Sequence, residues 1–599
     1  MIKMLSILIL VFISYFPAIT GGFIWDDDFY VSNNPLLQSI DGLWLIWTTS
    51  ESPQYYPLVF TSFWIEYHLW GLNPVGYHIV NIFLHAINSV MVWLLLQQLG
   101  VRSAWLIGAI FALHPVHVES VAWITERKNV LSGLFYLLAA HSYIRFDENE
   151  KRHCYFAAIA FFLMALLSKT VTSSLPVCLL IIRWFRGFSI RLRDIYRLVP
   201  FILLGLGMGM LTIWYEVRHV GAEGAEWHLS ILQRFLLAGN AVWFYAFKLI
   251  WPMNLTFIYP RWKMDVFDLF QWIRFLGVSA AGFVFWYFQK QLGRGPVVGL
   301  TFFVITLFPA LGFINVYPMR YSFVADHFQY LASIGIIAIC VGGFASAIER
   351  WDKLFLIETP RVKGFILGGL GFLILVVLSF LTWRQGYVYH DKETLWRDTL
   401  VKNPGAWMAH NNMGIELEKQ GKLNEAIKHY KEALRLNSRY PIAYNNLGLV
   451  LKQKGDFEEA AIYFREAIRN NPKFWESLNN LGYVLYSLGR LEEAASYFQQ
   501  TLAINPFSVE AHNNLANILD AKGKIEEAKK HYKKALSVDP ENAKIHNNLG
   551  TLFHEEKEYL KAINHFQKAL QLKPDLKETR QNLSMAMEQY RKAEAKKNN

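Results

Sequence analysis

Three consecutive aspartates, Asp26, Asp27 and Asp28, follow directly after the first apolar segment of the 599-residue sequence. Carboxylates this close to lipid are costly, so residues that persist there are candidates for a functional site. A carboxylate can take a proton from a reacting hydroxyl group, which makes general-base chemistry one possibility. The alternative is an exposed loop whose aspartates cap the next helix or reach into water.

Cationic side chains occur in two later stretches of the sequence. Arg127 and Lys128 lie in HPVHVESVAWITERKNV, and Lys169 lies in LLSKTVTSSLP. Both stretches fall in predicted outside loops, against the general preference of basic residues for the cytoplasmic side. Together the three side chains could bind phosphate at the membrane surface. The alternative is that each of them reaches separately to lipid headgroups.

His114, His117 and Glu119 stand close enough in the sequence to be considered as metal ligands. However, Pro115 interrupts the helix, and the spacing matches none of the strong zinc patterns. We therefore predict no metal site. The three cysteines all lie inside apolar segments, so the sequence indicates no disulfide framework.

The elements that must position these residues divide the sequence into an apolar half and a polar half. Up to about residue 347 the chain consists of apolar segments separated by short loops, and from about residue 403 it is rich in Lys, Glu and Asn. Only 18% of all residues are charged and 16% are aromatic, which is unusual for a soluble protein. This predicts a membrane domain followed by a soluble domain. The first segment could be a cleaved signal peptide, but its length favours a retained span.

About eleven apolar segments are candidate membrane spans. They lie near 4–20, 78–98, 104–122, 130–146, 154–168, 171–185, 198–215, 272–288, 297–316, 328–348 and 364–383. A start in the cytoplasm places most of the basic loops inside. We interpret the segment near 229–251 as re-entrant or interfacial, because counting it as a span would reverse the later loops. The aspartates and the polar half are then expected on the non-cytoplasmic side.

The polar half repeats every 34 residues, as shown by recurring Asn-Pro or related pairs. This is the period of tetratricopeptide repeats, in which two helices pack closely through small residues. We predict five repeats over residues 407–576 and a capping helix with a tail over 577–599. The membrane domain is expected over 1–385, with a linker at 386–406. The predicted fold class is therefore all-α, a polytopic helical domain followed by an α-solenoid.

Paired asparagines recur in the first helix of each repeat. Asparagine is a mediocre helix former, so its recurrence at one position needs a reason. One asparagine of each pair could hydrogen-bond to the neighbouring repeat, which would be a structural role. The other could line the concave surface and bind an extended peptide backbone. The candidate acceptor-binding residues are Asn412, Asn446, Asn480, Asn514 and Asn548.

Several of these stretches resemble one enzyme family. The stretches FIWDDDFYVSNNP, YYPL…GLNPVGYHIVNIFLH and HPVHVESVAWITERKNVL, followed by the repeats, resemble the transmembrane and tetratricopeptide-repeat-containing protein O-mannosyltransferases and their bacterial relatives. The resemblance implies a GT-C glycosyltransferase, a polytopic enzyme that takes a sugar from a polyprenyl-phosphate carrier. It also implies that the acidic pair of the family corresponds to Asp26 and Asp27. Asp326 and His327 stand where a family loop usually carries Glu-Arg.

The chemistry of such a reaction then suggests a division of roles among the candidate residues. Phosphate leaves without a proton, so one carboxylate base can suffice, and Asp27 or Asp26 would take the proton of the acceptor hydroxyl. Arg127, Lys128 or Lys169 would neutralise the departing phosphate. No cofactor is expected besides the lipid-linked sugar donor. Possible substrate-binding residues are Asp28, His114, His117, Glu119, Asp326 and His327.

We therefore expect an integral-membrane, inverting glycosyltransferase that moves a hexose such as mannose to Ser or Thr hydroxyls of a protein held by the repeats. Its site would face the non-cytoplasmic side of a bacterial cytoplasmic membrane, or of the endoplasmic reticulum membrane in a eukaryote. The alternatives are the same chemistry on a lipid or polysaccharide acceptor, and a non-catalytic membrane-anchored repeat scaffold. A transporter would carry ionisable residues deep within its spans. The net charge of +11 does not indicate nucleic-acid binding, because the cytoplasmic loops account for much of it.

Overall fold

A computed structural model of the chain describes residues 1–216, 218, 228–355 and 360–597. Within this part of the chain all regular secondary structure is helical and no strand occurs, which confirms the all-α prediction. The chain forms two compact units, Met1–Ala406 and Trp407–Asn599. Each unit has its own helices and its own packing.

The first unit is built from helices of very different length. Several begin with proline in the first turn, where the missing N–H has no helical partner to lose. Its α-helices are Ile2–Ser14, Phe16–Ile19, Ile40–Thr48, Pro57–Trp70, Pro74–Gln98, Ala104–Leu113, Val118–Ala122, Arg127–Asn149, Arg152–Ser168, Leu175–Phe185, Leu192–Tyr215, Ile231–Ile250, Leu269–Tyr287, Gln289–Leu292, Gly295–Leu307, Ser333–Phe355, Pro360–Val388 and Lys392–Lys402.

Four described helices are long and apolar enough to cross a membrane by length and composition: Pro74–Gln98, Leu192–Tyr215, Leu269–Tyr287 and Gly368–Val388. A fifth would be the pair Ala104–Leu113 and Pro115–Ala122, which is bent by 52° at Pro115. Shorter apolar helices are Ile2–Ser14, Arg152–Ser168, Thr170–Phe185, Gly295–Ala310 and Ser333–Ala347. The unit thus carries several apolar helices, while the count of about eleven spans is not confirmed.

The segment that we interpreted as re-entrant or interfacial forms one continuous helix, Ile231–Ile250. Its amino end is closed by a capping box, in which Ser230 and Gln233 each accept a hydrogen bond from the backbone of the other. Among the described helices it does not meet the length and composition required of a span.

Residues 386–406 do not form a separate linker, contrary to the prediction. Helix Lys392–Lys402 lies within the first unit, where the ring of Trp396 is buried against Trp25 and Phe257. The Lys402 ammonium donates to the carbonyl oxygen of Leu255 at 2.7 Å, and the Asn403 amide donates to that of Ile258 at 3.1 Å. Buried contacts of this kind are absent from a solvated linker.

The second unit consists of five helix pairs and a final helix, in agreement with the predicted repeats. Gly448 shows why a small residue recurs in the first helix of a pair, because a Cβ there would lie 2.7 Å from the ring of Phe464 in the second helix. The helices are Trp407–Lys419, Leu423–Leu436, Pro441–Lys454, Phe457–Asn470, Trp475–Ser487, Leu491–Ile504, Val509–Ala521, Ile525–Val538, Ala543–Glu555, Tyr559–Leu572 and Lys577–Lys597.

Candidate active site

The loop that carries the three aspartates begins after helix Phe16–Ile19 and is held by an unusual backbone conformation at Trp25. Its φ angle is +46°, in the left-handed region that costs a bulky residue conformational energy. The Trp25 ring makes edge contacts with Phe257 and Trp396, with ring centroids 6.0 and 5.3 Å away. This packing offsets the backbone strain and presents the next residue, Asp26, to the site.

Asp27 is fully buried, and both of its oxygen atoms accept hydrogen bonds. Oδ1 accepts from the backbone N–H of Thr125 at 2.8 Å and from its hydroxyl at 2.5 Å, and Oδ2 accepts from the N–H of Ile24 at 2.9 Å. Burial and the neighbouring Asp26 raise the pKa of Asp27 to about 8, while these hydrogen bonds oppose the rise. Asp27 therefore ties the acidic loop to the turn Ile124–Glu126.

Asp26 is partly exposed, and it accepts a hydrogen bond from the indole N–H of Trp123 at 3.1 Å. Removal from bulk water raises the pKa of Asp26 to about 6, although the charge of Lys128 opposes this rise. Asp28 instead forms an ion pair with Lys392 and accepts from the Ser32 hydroxyl at 3.2 Å. The three adjacent acids thus have three different environments.

A buried carboxylate, Glu126, lies at the centre of the cationic side chains. One of its oxygens is 2.9 Å from the ammonium of Lys128, and the other is 3.3 Å from that of Lys169. The second oxygen also accepts from the Asn129 amide at 2.6 Å. Burial alone would raise the pKa of Glu126, but His327, Lys128 and Lys169 hold it well below its usual range.

Lys128 and Lys169 are both largely buried but differ in their surroundings. The Lys128 ammonium lies over the rings of Tyr30 and Trp123, 5.5 and 5.7 Å from their centroids. Lys169 has a neutral partner besides Glu126, since it donates to the Asn129 side-chain oxygen at 2.7 Å. Burial therefore lowers the pKa of Lys169 to about 8, with Glu126 opposing the change.

Arg127 is not available to bind phosphate, so its prediction as a residue that binds the donor phosphate is corrected. The guanidinium is fully buried, and its five N–H groups are used by four acceptor residues. Nε donates to Asn81, Nη1 to Ser62 and Glu66, and Nη2 to Glu66 and the carbonyl oxygen of Tyr77. Arg127 thus holds helices Pro57–Trp70 and Pro74–Gln98 against its own helix.

His114 and His117 make buried hydrogen bonds within the first unit, and they have no described contact with the acidic loop. His114 Nε2 is 2.9 Å from the carbonyl oxygen of Leu249, and His117 is 2.8 Å from that of Phe111 and 3.0 Å from the Ser333 hydroxyl. Among the residues that the structure describes, no group of three or more His, Cys, Asp or Glu side chains is arranged to hold a metal ion.

His327 lies between two buried acids, Glu119 and Glu126, and joins the cluster. Its Nδ1 is 3.1 Å from a Glu119 oxygen and its Nε2 is 3.9 Å from Glu126. The neighbouring Asp326 is buried, and both of its oxygens lie 3.0 Å from the Tyr259 hydroxyl. Burial, together with the charge of Glu119, raises the pKa of Asp326 well above its usual range. The replacement of Glu-Arg by Asp-His thus leaves an imidazole near Glu126.

The asparagines of the second unit form a ladder between repeats. The second asparagine of a pair donates to the first asparagine of the preceding repeat, at 3.0 Å from Asn446 to Asn411 and 3.1 Å from Asn480 to Asn445. The same bond joins Asn548 to Asn513 at 3.1 Å and Asn582 to Asn547 at 3.5 Å. This supports the structural role for the first asparagine. The second asparagines remain partly exposed.

Asn514 differs from this pattern. Its side-chain oxygen accepts from Asn513 at 3.2 Å, and the described contacts include no bond from Asn514 to Asn479 of the preceding repeat. The Asn479 oxygen is buried without a hydrogen-bond partner in the described structure. A cavity of about 280 Å³ opens at this step, lined by both residues together with Lys452, Tyr483 and Lys544 among others.

Sequence reasoning missed Glu126 and Asn129, which hold the two lysines together. The signal was present, because Glu126 directly precedes Arg127 and Lys128 in the stretch TERKN. We interpreted that stretch only through its cations. A carboxylate beside two cations in an apolar surrounding is itself evidence of a buried charge network.

Comparison with protein-family models finds tetratricopeptide repeats throughout most of the second unit. A model described as TPR repeat matches residues 416–455 and 516–557, and models described as tetratricopeptide repeat match 451–509, 497–530 and 543–576. Among solved structures, YrrB, a TPR protein with an unusual peptide-binding site, is 24% identical. That match covers 32% of this chain and 97% of the other, with a TM-score of 0.28.

Curated proteins extend the similarity into the first unit. The chain is 24% identical to protein O-mannosyl-transferase F38B6.6 of Caenorhabditis elegans over 468 residues, covering 73% of this chain and 63% of the relative. It is 26% identical to protein O-mannosyl-transferase TMTC4 of Homo sapiens over 485 residues, covering 68% and 63%. The chain thus spans less than two thirds of the length of these relatives. Over most of its own length, it resembles the protein O-mannosyl-transferases, and its second unit consists of tetratricopeptide repeats.

Proposed function

We propose that this chain is a membrane-embedded protein O-mannosyltransferase that uses a polyprenyl-phosphate-linked mannose as donor. The observation that carries the proposal is the partly exposed Asp26 near the buried ammonium of Lys128, which shares the carboxylate of Glu126 with Lys169. A base and a phosphate-binding pair are the two parts that this reaction requires. The similarity to named O-mannosyl-transferases supports the choice of sugar and of a protein acceptor.

Asp26 is our choice for the base, and Asp27 for the residue that positions it. Both oxygens of Asp27 are occupied by hydrogen bonds from Thr125 and Ile24, whereas Asp26 is partly exposed. A pKa of about 6 for Asp26 leaves it ionised at neutral pH and close to the value at which general-base catalysis is efficient.

The phosphate of the donor would be bound by Lys128 and Lys169. During transfer the bond between the sugar carbon C1 and the phosphate oxygen breaks, and its electron pair stays on the phosphate. The acceptor hydroxyl oxygen forms the new bond to C1, and its proton moves to Asp26. The leaving phosphate thereby gains one negative charge, which the two ammonium groups stabilise. A single displacement of this kind inverts the configuration at C1.

The acceptor would be an unfolded protein segment bound by the repeats. The exposed amides of the second asparagines offer donors and acceptors to a peptide backbone of any sequence. The step at Asn479 and Asn514 is the strongest candidate contact, since the ladder bond is missing there and a cavity opens. Solenoids mostly bind peptides or proteins, which favours this acceptor over a lipid or a polysaccharide.

We also propose a multi-pass topology in which the acidic loop and the repeats face the non-cytoplasmic side. The basic loops at 145–152 and 183–197 carry the positive charge expected inside. They meet in ion pairs, because Arg183 pairs with Asp147 and Asp194, and Arg186 lies 2.9 Å from Glu148. These pairs support the assignment of both loops to one side.

The test is a transfer assay with the full chain purified in lipid vesicles. Radiolabelled mannosyl polyprenyl phosphate and an unstructured Ser/Thr peptide serve as substrates. Asp26→Asn should lower the transfer rate about 10²- to 10⁴-fold, because the base is lost while its shape is kept. Asp28→Asn is the matched control and should cost less than about tenfold, since the contacts of Asp28 are a partly exposed ion pair with Lys392 and a hydrogen bond from Ser32. Transfer by Asp26→Asn at the unaltered rate would exclude Asp26 as the base, and no transfer by the unaltered chain would contradict the function.

A further inference from the structure

Glu126 joins two groups of the following helical turn to two groups from distant parts of the first unit. It is fully buried at the end of the turn Ile124–Glu126, immediately before helix Arg127–Asn149. Lys128 and Lys169 contact its two oxygens, Asn129 donates to one of them, and His327 lies 3.9 Å from the other. Within the described part of the chain, Glu126 is the carboxylate that contacts both lysines.

The two lysines depend on this carboxylate to different degrees. Lys128 is also influenced by the negative charge of Asp26 and by Tyr30, and it faces Tyr56 and Glu216 more remotely. Lys169 has the neutral Asn129 as its other contact, with Glu119 acting weakly and Lys128 opposing its charge. Removal of the Glu126 charge would therefore change the protonation of Lys169 more strongly than that of Lys128.

We propose that Glu126 is a positioning residue of the transfer reaction. It holds the ammonium groups of Lys128 and Lys169 together as one two-cation site for the donor phosphate and keeps Lys169 protonated in its buried position. Asn129 supports the arrangement, because its amide donates to Glu126 while its oxygen accepts from Lys169. This inference rests on the proposed function, since the phosphate belongs to the mannose donor.

The experiment measures transfer efficiency for the donor from pH 6 to pH 10 in the vesicle assay. For the unaltered chain, the efficiency should fall as pH rises through about 8, where Lys169 loses its proton. In Glu126→Gln the fall should begin at least about one pH unit lower, which appears as an additional loss of about fivefold or more at pH 8 relative to pH 6. Glu126→Asp should restore part of the difference.

Two further variants make the outcome specific. Lys169→Arg should lack the fall near pH 8, because a guanidinium stays charged throughout this range. Glu119→Gln changes the other carboxylate that contacts His327 and should shift the profile less than Glu126→Gln.

A uniform loss in Glu126→Gln at every pH would overturn the inference, because a merely structural role lowers the amount of active protein without moving the profile. If Glu126→Gln yields no folded protein, Lys169→Arg decides, and a profile that still falls near pH 8 refutes the inference. A chain that transfers no mannose at any pH contradicts the proposed function instead, so the two failures are distinguishable.

Discussion

At the scale of single residues, charges that are adjacent in sequence have different surroundings. Asp26 and Asp27 follow one another, yet Asp27 is buried with three hydrogen bonds and Asp26 remains partly exposed. Arg127 and Lys128 differ in the same way, because Arg127 pairs with Glu66 and Lys128 with Glu126. Arg127 and Lys128 lie on one helix, where successive side chains point about 100° apart and therefore reach different environments.

The first prediction at this scale concerns pH. The transfer rate should rise as pH increases through about 6, because Asp26 must lose its proton to act as base, and fall through about 8, because Lys169 must keep its own. A bell-shaped profile with its maximum near neutrality is therefore expected. Initial transfer rates at saturating peptide test this prediction, and a flat profile between pH 5 and 9 would contradict it.

The second residue-scale prediction concerns Arg127. Replacing it by methionine leaves the Glu66 carboxylate buried and unpaired, so Arg127→Met should lower the free energy of unfolding by about 3–5 kcal/mol. The measurement is thermal unfolding of the purified chain. Arg127→Met combined with Glu66→Gln should recover part of the loss, because the unpaired charge is removed. A stable Arg127→Met variant with weakened donor binding would instead return Arg127 to the phosphate site.

At the scale of helices, the two positions of the asparagine pair have different contacts. Asn445 accepts hydrogen bonds from Ser477 at 2.9 Å and from Asn480 at 3.1 Å, so it joins two repeats. Asn514 makes no described bond to the preceding repeat and lies beside the cavity. Adjacent side chains on a helix point about 100° apart, so the two asparagines of a pair meet different neighbours.

The ladder therefore predicts two separable effects. Asn445→Ala should lower the melting temperature, with a loss of about 1–3 kcal/mol in the free energy of unfolding, because two donors lose their acceptor. Asn514→Ala should leave stability nearly unchanged and weaken the binding of a fluorescent Ser/Thr peptide, measured by anisotropy. If both variants alter stability alone, the ladder has no role in acceptor binding.

At the scale of the whole molecule, topology decides whether the proposed site can meet its substrates. In the proposed topology the acidic loop lies on the non-cytoplasmic side, where a lipid-linked sugar and a secreted acceptor would both be accessible. The helix Ile231–Ile250 is the critical element, because its crossing would reverse every later loop.

Cysteine labelling checks this topology. With Cys154, Cys178 and Cys340 replaced by serine, single cysteines at Gln38, Lys151 and Gln589 would lie at exposed positions. An impermeant thiol reagent added to intact cells should label the cysteines at 38 and 589 but not the one at 151. Labelling of 38 and 589 from opposite faces would show that Ile231–Ile250 crosses the membrane.

The sequence by itself determined the features that are local or periodic. The 34-residue repeat, the helix pairs and the all-α class follow from spacing alone, because each repeat buries its apolar face against its neighbours. The position of three carboxylates next to an apolar segment was equally visible. The prediction of a linker at 386–406 was wrong, since the helix Lys392–Lys402 is polar in sequence but is held in the first unit by a few specific contacts.

Only the tertiary structure decided which charged side chain meets which. Asp27 reaches Thr125 across 98 residues of sequence, Lys169 reaches Glu126 across 43, and His327 reaches Glu119 across 208. Because these groups are buried, the partner of each one determines whether its charge is stable. An ion in a medium of low polarity is stable only when its charge is compensated. That is why Arg127 becomes a structural residue, Asp26 the accessible acid, and Glu126 the residue that brings the two lysines together.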